Sequence, residues 1–169
     1  QPAGEPRPIW TDNALNRDTV TAANGRTETT NHATIWRWRE HFQNDFAARM
    51  DWCVADSFDK ANHNPRPVLN GDRSTKVIHL KTKPGETLNL SAEGSDAGDP
   101  NQAVGFSWWI YQEAGSVSGA TLDSGSGGST RVRIPETAKR GTLHVILQAE
   151  DDGSPKLVAY RRAVIRVER

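Results

Sequence analysis

The spacing of the apolar residues changes near residue 67, and this change decides which fold class the chain can adopt. From Val68 onward, apolar side chains recur at every second position in short runs such as Thr87-Leu88-Asn89-Leu90. A period of two places alternate side chains on opposite faces of a β-strand. Turn-forming clusters rich in Gly, Pro, Asp and Ser separate the runs, at residues 83–86, 93–100, 124–128 and 151–155.

These runs predict about seven short strands. The predicted strands are residues 77–81, 87–90, 104–111, 117–122, 131–134, 142–149 and 159–167. No helix-length apolar pattern lies between them, which excludes a parallel α/β sheet, although Pro135–Gly141 has the composition of a single helical turn. We therefore predict a mainly β protein in which residues 67–169 form an immunoglobulin-like antiparallel β-sandwich.

The residues before the sandwich follow a different pattern. Residues 1–30 are polar and rich in turn formers, which predicts an irregular segment. Residues 31–55 predict one amphipathic helix, because apolar residues recur there at three- and four-residue steps. These residues are Ile35, Trp38, Phe42, Phe46, Met50 and Cys53. An isolated helix is marginal in water, so we expect this face to pack on the sandwich, a partner chain or a preceding domain.

Composition excludes several classes of partner. The chain has 21 basic and 21 acidic side chains, so its charge favours neither nucleic acid nor an anionic membrane surface. No apolar run approaches the roughly 20 residues of a membrane-spanning helix. The single cysteine, Cys53, excludes an intrachain disulfide and is expected to be a small buried hydrophobic residue. The proline-rich opening at residues 1–8 is typical of the interior of a longer protein.

Two parts of the predicted sandwich resemble known domains. The sequence Leu90–Asp96, followed by Asp99-Pro100 and Val104–Trp109, resembles polycystic-kidney-disease-like and cadherin-like sandwiches. Residues Asp151–Leu157 resemble the cadherin pattern Asp-x-Gly-x-Pro-x-Leu, which joins the last two strands. The resemblance implies the same architecture that the strand pattern predicts.

A second resemblance covers nearly the whole chain. Segments at Phe42–Trp52, Ala61–His63, Trp108–Gly115 and Tyr160–Arg162 resemble, in the same order, microbial proteins described as cellulose-binding. Those proteins have a nucleoside-hydrolase-like N-terminal domain and an Ig-like C-terminal domain. The resemblance implies that residues 1–63 are the tail of that hydrolase-like domain and that residues 67–169 are the Ig-like domain. It also implies polysaccharide and the upstream domain as partners, and a secreted, extracellular or periplasmic location.

The strand at residues 104–111 carries the main candidate for a carbohydrate site. If Phe106, Trp108 and Ile110 face the core, alternation turns the residues between them outward. The outward pair is Trp109 and Tyr111, and such rings stack on the apolar face of a pyranose while their polar groups meet hydroxyls. The neighbouring hydrogen-bonding side chains are Gln112 and Glu113. Alternatively, the preceding helix covers this face, and the pair belongs to the core.

Other tryptophans extend the candidate set. Six tryptophans in 169 residues is a high number, and interfaces favour tryptophan. Trp38 lies on the apolar face of the predicted helix and is expected in the core. Trp36 and Trp52 lie off that face, where they contact either the missing domain or a sugar.

Aspartates in the turns are candidate calcium ligands, since calcium prefers hard oxygen donors. They are Asp96, Asp99, Asp151 and Asp152. However, Asp is common in turns because its side chain bonds neighbouring amides, and the cadherin motifs Leu-Asp-Arg-Glu and Asp-x-Asn-Asp-Asn do not occur. We therefore predict no metal ion or other cofactor, with calcium at these aspartates as the alternative.

The sequence offers no catalytic site. Glycosidases need two carboxylates flanking the scissile bond, and the spacing of the acidic residues selects no pair. Residues 1–60 also lack the aspartate cluster that holds calcium in nucleoside hydrolases. Asp45 is reminiscent of a metal- or sugar-contacting aspartate of those enzymes, and its alternative role is that of a solvated helix carboxylate.

These observations predict a non-catalytic module of a secreted protein that binds cellulose or a related glucan. In the alternative, the chain is the C-terminal portion of a nucleoside-hydrolase-like glycosidase, and the sandwich is its structural scaffold. A third hypothesis is a spacer or adhesion repeat without affinity for sugar.

Overall fold

The computed structural model describes residues 17–22 and 24–168, which belong to two compact units, Gln1–Gln43 and Asn44–Arg169. The strands are β1 (Asp18–Thr21), β2 (Thr27–Thr30), β3 (Ile78–Thr82), β4 (Thr87–Ser91), β5 (Val104–Ile110), β6 (Thr121–Leu122), β7 (Ser129–Arg133), β8 (Gly141–Asp151) and β9 (Val158–Val167). The helices are α1 (Ala33–Trp36) and α2 (Arg39–Val54), with 3₁₀ turns at Phe58–Lys60 and Gln112–Ala114. The predicted mainly β fold class is confirmed. The division into residues 1–63 and 67–169 stays a prediction.

Strands β1 and β2 pair with each other, although the sequence predicted irregular chain there. Strands β1 and β2 pair antiparallel, and Gly25 in the turn has a φ of 82°. Threonine pairs join the strands, for example through the hydroxyl oxygens of Thr19 and Thr29 at 2.8 Å. Threonine favours strands through its β-branched side chain but adds no apolar face, so the hydrophobic period gave no signal.

The predicted helix over residues 31–55 is present as α1 and α2, which are separated at residues 37–38. The predicted apolar face of α2 is not buried on the sandwich, and its packing on a partner chain or a preceding domain stays a prediction. On α2, Phe46, Met50 and Val54 are 63, 47 and 82% exposed. We call these three residues the exposed stripe. Cys53, which the sequence predicted as buried, is exposed as well.

Within the second unit, α2 packs through small and polar side chains. Ala48 is fully buried, the Nδ2 of Asn44 donates to the Lys156 carbonyl at 3.1 Å, and the indole N–H of Trp52 donates to the Asn62 carbonyl at 2.6 Å. These hydrogen bonds hold the side of the helix that lies away from the exposed stripe. The side of α2 that packs within this unit is therefore not the apolar face that the hydrophobic period marks.

The first unit contains the remaining residues of the predicted helical face. Ile35 and Phe42 are 40 and 48% exposed, and Trp38 is half-buried. Asp18 is buried and lies 3.2 Å from the Nε of Arg37, an ion pair that joins β1 to the residue following α1. Across both units, no helix in the part of the chain that the structure describes is long and apolar enough to cross a membrane.

Seven strands of the second unit form two sheets, as the strand pattern predicted. One sheet has the order β3-β9-β8-β5 and the other has the order β4-β7-β6. All neighbouring pairs are antiparallel except β3 and β9, which run parallel. The sandwich is therefore antiparallel except at this pair, which joins its first and last strands.

The core lies between the two sheets. Leu90 and Val132 from the smaller sheet cluster with Leu143, Val145 and Ile165 from the larger one, and each is at most 1% exposed. Alternate residues of β8 and β9 fill this core, and the residues between them form the outer face of the four-stranded sheet. That outer face carries the first candidate site.

The segment between β7 and β8 is a turn and not the single helical turn that its composition suggested. The N–H of Ala138 donates to the Pro135 carbonyl at 3.0 Å. Gly141, expected to close a helical turn, instead begins β8 and pairs with Val167. Pairing with the long strand β9 therefore outweighs the local helical preference.

Candidate functional site

Strand β5 places its aromatic residues on both faces of the four-stranded sheet. Trp108 is 3% exposed within the core, where its indole N–H donates to the Gly127 carbonyl at 2.8 Å. Phe106 and Ile110 pack against the same core. Because side chains alternate along a strand, Trp109 lies on the outer face, as the sequence predicted, and it is half-buried.

A tyrosine from β9 completes the aromatic surface beside Trp109. The rings of Trp109 and Tyr160 meet edge to face, with centroids 6.1 Å apart and an interplanar angle of 86°. Ile146 of β8 is paired with Trp109 and is only 6% exposed. Burial, and secondarily the charge of Glu150, raises the pKa of the Tyr160 phenol, so this hydroxyl stays protonated at physiological pH. Sequence reasoning missed Tyr160 because it comes from a distant strand.

The other residues predicted with Trp109 gather at the end of β5. Tyr111 is half-buried, and its N–H donates to the His144 carbonyl at 2.8 Å. Gln112 and Glu113 follow in the 3₁₀ turn and are exposed. Trp109, Tyr111, Gln112 and Glu113 thus lie at one corner of the sheet, and their contact with sugar stays a prediction.

A histidine–arginine pair adds a titratable group to the same outer face. His144 of β8 is 8% exposed, and the guanidinium of Arg162 of β9 donates to its Nδ1. Burial, together with the positive charge of Arg162, lowers the pKa of His144 below its usual value of 6.5. The ring is therefore neutral at physiological pH. No pattern in the sequence indicates this pair, because its members come from different strands.

Trp52 lies elsewhere in the second unit, in a stack of three rings. The Trp52 and His63 rings are nearly parallel, with centroids 5.2 Å apart and an interplanar angle of 13°. The Phe58 and His63 rings are parallel to within 5°, with centroids 3.6 Å apart. We call these three residues the aromatic stack. Sequence reasoning missed Phe58 and His63, although Phe58 stands out as an isolated aromatic residue in a polar segment.

A polar cleft of about 440 Å³ lies next to the aromatic stack. It is lined by Asp51, Asp59, Lys60, Ala61, Asn62, Asp99, Pro100, Asn101, Gln102 and Ser154. Asp99 joins the cleft to the stack, since one of its oxygens accepts the His63 backbone N–H at 2.6 Å and the other lies 2.9 Å from His63 Nδ1. A carboxylate only accepts hydrogen bonds, so Nδ1 carries the ring proton.

The four candidate calcium ligands do not form a metal centre among the described residues, where no group of three or more His, Cys, Asp or Glu side chains is suitably placed. Each of them accepts hydrogen bonds from the protein. Asp96 bonds the Gly98 N–H, Asp152 bonds the Ala103 N–H, and Asp99 bonds His63. Buried Asp151 accepts from Asn62, Gly153 and Leu157. The prediction of no metal ion, with calcium at these aspartates as the alternative, stays a prediction.

Asp45 is the aspartate that resembled a functional residue of nucleoside hydrolases. It pairs with Arg49 at 2.7 Å and accepts from the Asn64 amide at 2.9 Å. The hydrogen bond from Arg49 lowers the pKa of Asp45 below its usual value. Arg49 in turn lies 5.1 Å from the Trp52 ring centroid. Asp45 thus holds α2 to residues 62–64, and this contact requires no metal.

Trp36 lies in the first unit. It is 45% exposed and meets His32 edge to face at 5.8 Å. It borders a cleft of about 560 Å³ with Thr19, Val20, Thr21, Ala22, Arg37 and Arg39. A role in sugar binding or domain contact stays a prediction for Trp36 and for Trp52.

Comparison with known proteins relates this fold to a described family. The family model of the C-terminal domain of cellulose-binding protein Sde0182 matches residues 87–167, which run from β4 to the end of β9. No curated protein sequence matches the chain.

Among solved structures, the chain is similar to a nucleoside hydrolase-related protein from Saccharophagus degradans that is associated with carbohydrate metabolism. Sequence identity is 42%, the TM-score is 0.74, and the match covers 78% of this chain. The chain spans 32% of the length of that relative.

A further match is the PapD-like domain 7 of human CEP192, at 14% identity and a TM-score of 0.33. It covers 62% of this chain and 86% of that domain, and at this TM-score it bears on neither fold nor function. The family match from β4 to β9 and the 42% identity agree with each other. The sandwich of this chain is therefore similar, over residues 87–167, to the C-terminal domain of the Sde0182 cellulose-binding protein.

Proposed function

We propose that the chain is a non-catalytic carbohydrate-binding module of a secreted protein, with cellulose or a related β-glucan as its ligand. The observation that carries the proposal is the family match over residues 87–167, the family being that of a cellulose-binding protein. The relative's association with carbohydrate metabolism supports the same class of ligand. The module has an accessory role, in which it holds its protein on the polysaccharide.

The proposal includes an immunoglobulin-like classification of the sandwich. The sheet orders β3-β9-β8-β5 and β4-β7-β6 support it, because an immunoglobulin domain places its third, sixth and seventh strands in one sheet and its second, fourth and fifth in the other. Here β5, β8 and β9 are the third, sixth and seventh strands of the sandwich. The loops at each end are then the usual places for binding residues.

Trp109 and the tyrosines around it are the proposed contact with an extended glucan chain. The rings of Trp109 and Tyr160 pack edge to face. The alternation of side chains along β5 turns Trp109 away from the core. Tyr111, Gln112 and Glu113 continue the same corner with a phenol, an amide and a carboxylate. An aromatic surface with polar groups at its border suits a pyranose, which has apolar C–H faces and a rim of hydroxyls.

The test is retention on insoluble cellulose. We expect the parent chain to be retained and Trp109→Ala to weaken binding roughly tenfold, since an aromatic contact contributes about 1 to 1.5 kcal/mol. His79→Ala is the matched control, because His79 is exposed on β3 of the same sheet face. Failure of the parent chain to bind any insoluble glucan contradicts the function. Equal retention of Trp109→Ala, Tyr111→Ala and the parent contradicts only this contact.

Binding is proposed to need no metal ion, because the four turn aspartates already accept hydrogen bonds from the protein. Retention in EDTA should therefore equal retention in millimolar calcium. If EDTA lowers retention and added calcium restores it, binding requires calcium and this proposal is contradicted.

The second candidate is a structural role in a nucleoside-hydrolase-like glycosidase. The 42% identity to a nucleoside hydrolase-related protein favours it, since the match covers 78% of this chain but only 32% of that protein. In that case the exposed stripe of α2 contacts the hydrolase-like domain. If this second candidate is correct, we expect no retention of the chain on cellulose. We expect instead that the chain binds tightly to the remaining portion of that relative.

A further inference from the structure

We propose that the aromatic stack of Trp52, His63 and Phe58, with the polar cleft beside it, is a second carbohydrate site that takes a neutral β-linked glucose unit. The site lies at the end of the sandwich where residues 58–63 meet the turns at 99–102 and 151–155. This inference rests on the proposed function, because it assumes that the module binds glucan. It adds a site for a soluble chain or chain end.

Phe58 presents an open ring face on a rigid support. His63 covers one face of the Phe58 ring at a centroid distance of 3.6 Å, yet Phe58 is 60% exposed. Two rings cannot both lie flat on one face of an imidazole at 3.6 and 5.2 Å without overlapping, so Trp52 lies on the far face of His63. The opposite face of Phe58 is therefore the outermost surface of a three-ring stack.

Hydrogen bonds fix the two lower rings of the stack. Asp99 bonds both the backbone N–H and Nδ1 of His63, and the Trp52 indole donates to the Asn62 carbonyl. The side chain of Asn62 bonds Asp151 at 3.1 Å and the Pro155 carbonyl at 2.7 Å, which ties the stack to the β8–β9 hairpin. Because Phe58 packs on these fixed rings, its side chain loses little conformational entropy when a ligand stacks on it.

The cleft supplies the groups that sugar hydroxyls require. Asp51, Asp59, Lys60 and Asn101 are exposed on its wall, so it offers carboxylate acceptors beside amide and ammonium donors. Asp59 directly follows Phe58 in the same 3₁₀ turn and lines the cleft, where one of its oxygens accepts from the Ser57 hydroxyl at 2.7 Å. A pyranose stacked on Phe58 therefore has hydrogen-bonding partners along its edge.

The charge of the cleft selects among glycans. Three carboxylates, from Asp51, Asp59 and Asp99, line it with a single lysine, Lys60. This excess of negative charge disfavours uronic acid, sulfated or phosphorylated chains by repulsion. A glucose unit with equatorial hydroxyls is neutral and leaves a flat C–H face for the ring, so it fits both features.

The experiment compares two exposed phenylalanines by calorimetric titration with cellohexaose. Phe58→Ala removes the open ring, and Phe46→Ala is the matched control, because Phe46 is 63% exposed on the α2 face away from the stack. We expect the Kd of Phe58→Ala to rise about tenfold, from the loss of roughly 50 Å² of apolar contact. The Phe46→Ala value should stay within about twofold of the parent value.

A second variant distinguishes loss of the binding site from loss of the fold. Asn101→Gly removes a hydrogen-bonding group from the wall of the cleft and keeps a residue that tolerates the φ of 68° at this position, and we expect it to raise the Kd about fivefold, as for one hydrogen bond. If the parent chain binds cellohexaose while Phe58→Ala and Asn101→Gly bind as tightly, the second site is refuted and the proposed function stands. If the parent binds neither cellohexaose nor insoluble glucan, the proposed function fails and this site with it. Equal weakening by Phe46→Ala and Phe58→Ala would also overturn the proposal, because it would indicate a general effect on the protein.

Discussion

His144 connects the fold to pH at the scale of a single residue. The folded protein holds this ring neutral, because the ring is buried and next to Arg162, and its pKa lies below 6.5. The unfolded chain takes up a proton near its ordinary pKa, whereas the folded chain does so only at lower pH. Stability from this group is therefore fully present above about pH 6.5 and falls as the pH decreases through that value.

The predicted result is a lower free energy of unfolding at about pH 5.5 than at about pH 7.5, measured by urea denaturation. His144→Gln should flatten this dependence. His79→Gln should preserve it, because His79 is exposed on the same sheet. Asp45 and Asp72 have lowered pKa values, so they change the free energy of unfolding only below about pH 3.8. They therefore do not contribute between about pH 5.5 and pH 7.5. An identical pH dependence in His144→Gln and the parent would contradict the assignment.

At the scale of elements, the turn after β4 positions the aromatic stack through one glycine. Gly98 has a φ of 96°, and a Cβ there would lie 2.5 Å from the Asn64 carbonyl oxygen and 2.6 Å from that of His63. Both obstacles are backbone atoms, so they cannot move aside as a flexible side chain would. The next residue, Asp99, holds His63 in the stack.

Gly98→Ala should therefore cost more stability than Gly71→Ala. Both glycines have positive φ, but a Cβ at Gly71 meets nothing within 4 Å, so that variant should lose only about 1 kcal/mol. We expect roughly 3 kcal/mol for Gly98→Ala, because the strain adds to a backbone clash. The denaturation midpoints of the two variants measure the difference. Equal midpoints would show that residues 63–64 shift freely away from the turn.

The elements also show what the sequence could predict. The strands of the sandwich follow directly from alternation, since residues such as Leu143 and Val145 must face one core. The pairing of β1 with β2 and the packing of α2 could not be predicted, because threonine pairs and the contacts of Asn44 and Trp52 leave no hydrophobic period. Likewise, alternation placed Trp109 on the outer face, whereas no hydrophobic period marks the aromatic stack, whose rings come from α2, the 3₁₀ turn after it and His63.

At the scale of the whole molecule, the exposed stripe is the feature that governs association. Phe46, Met50 and Val54 lie at intervals of four residues on α2 and are between 47 and 82% exposed. Large apolar side chains grouped in this way mark interaction surfaces in soluble proteins. Polar contacts already hold the other side of the helix, so α2 does not require the stripe for its packing.

We therefore expect the isolated chain to self-associate weakly through the stripe, and Phe46→Ser with Met50→Ser to abolish this association. Stability should change by no more than about 0.5 kcal/mol, because both residues are exposed. Sedimentation velocity across a concentration series measures the effect, and Phe58→Ser, with a similarly exposed phenylalanine outside the stripe, is the control. A parent chain that stays monomeric at all concentrations would contradict the expectation. If Phe58→Ser abolished association as well, the interacting surface would include the aromatic stack, and glucan binding there should compete with self-association.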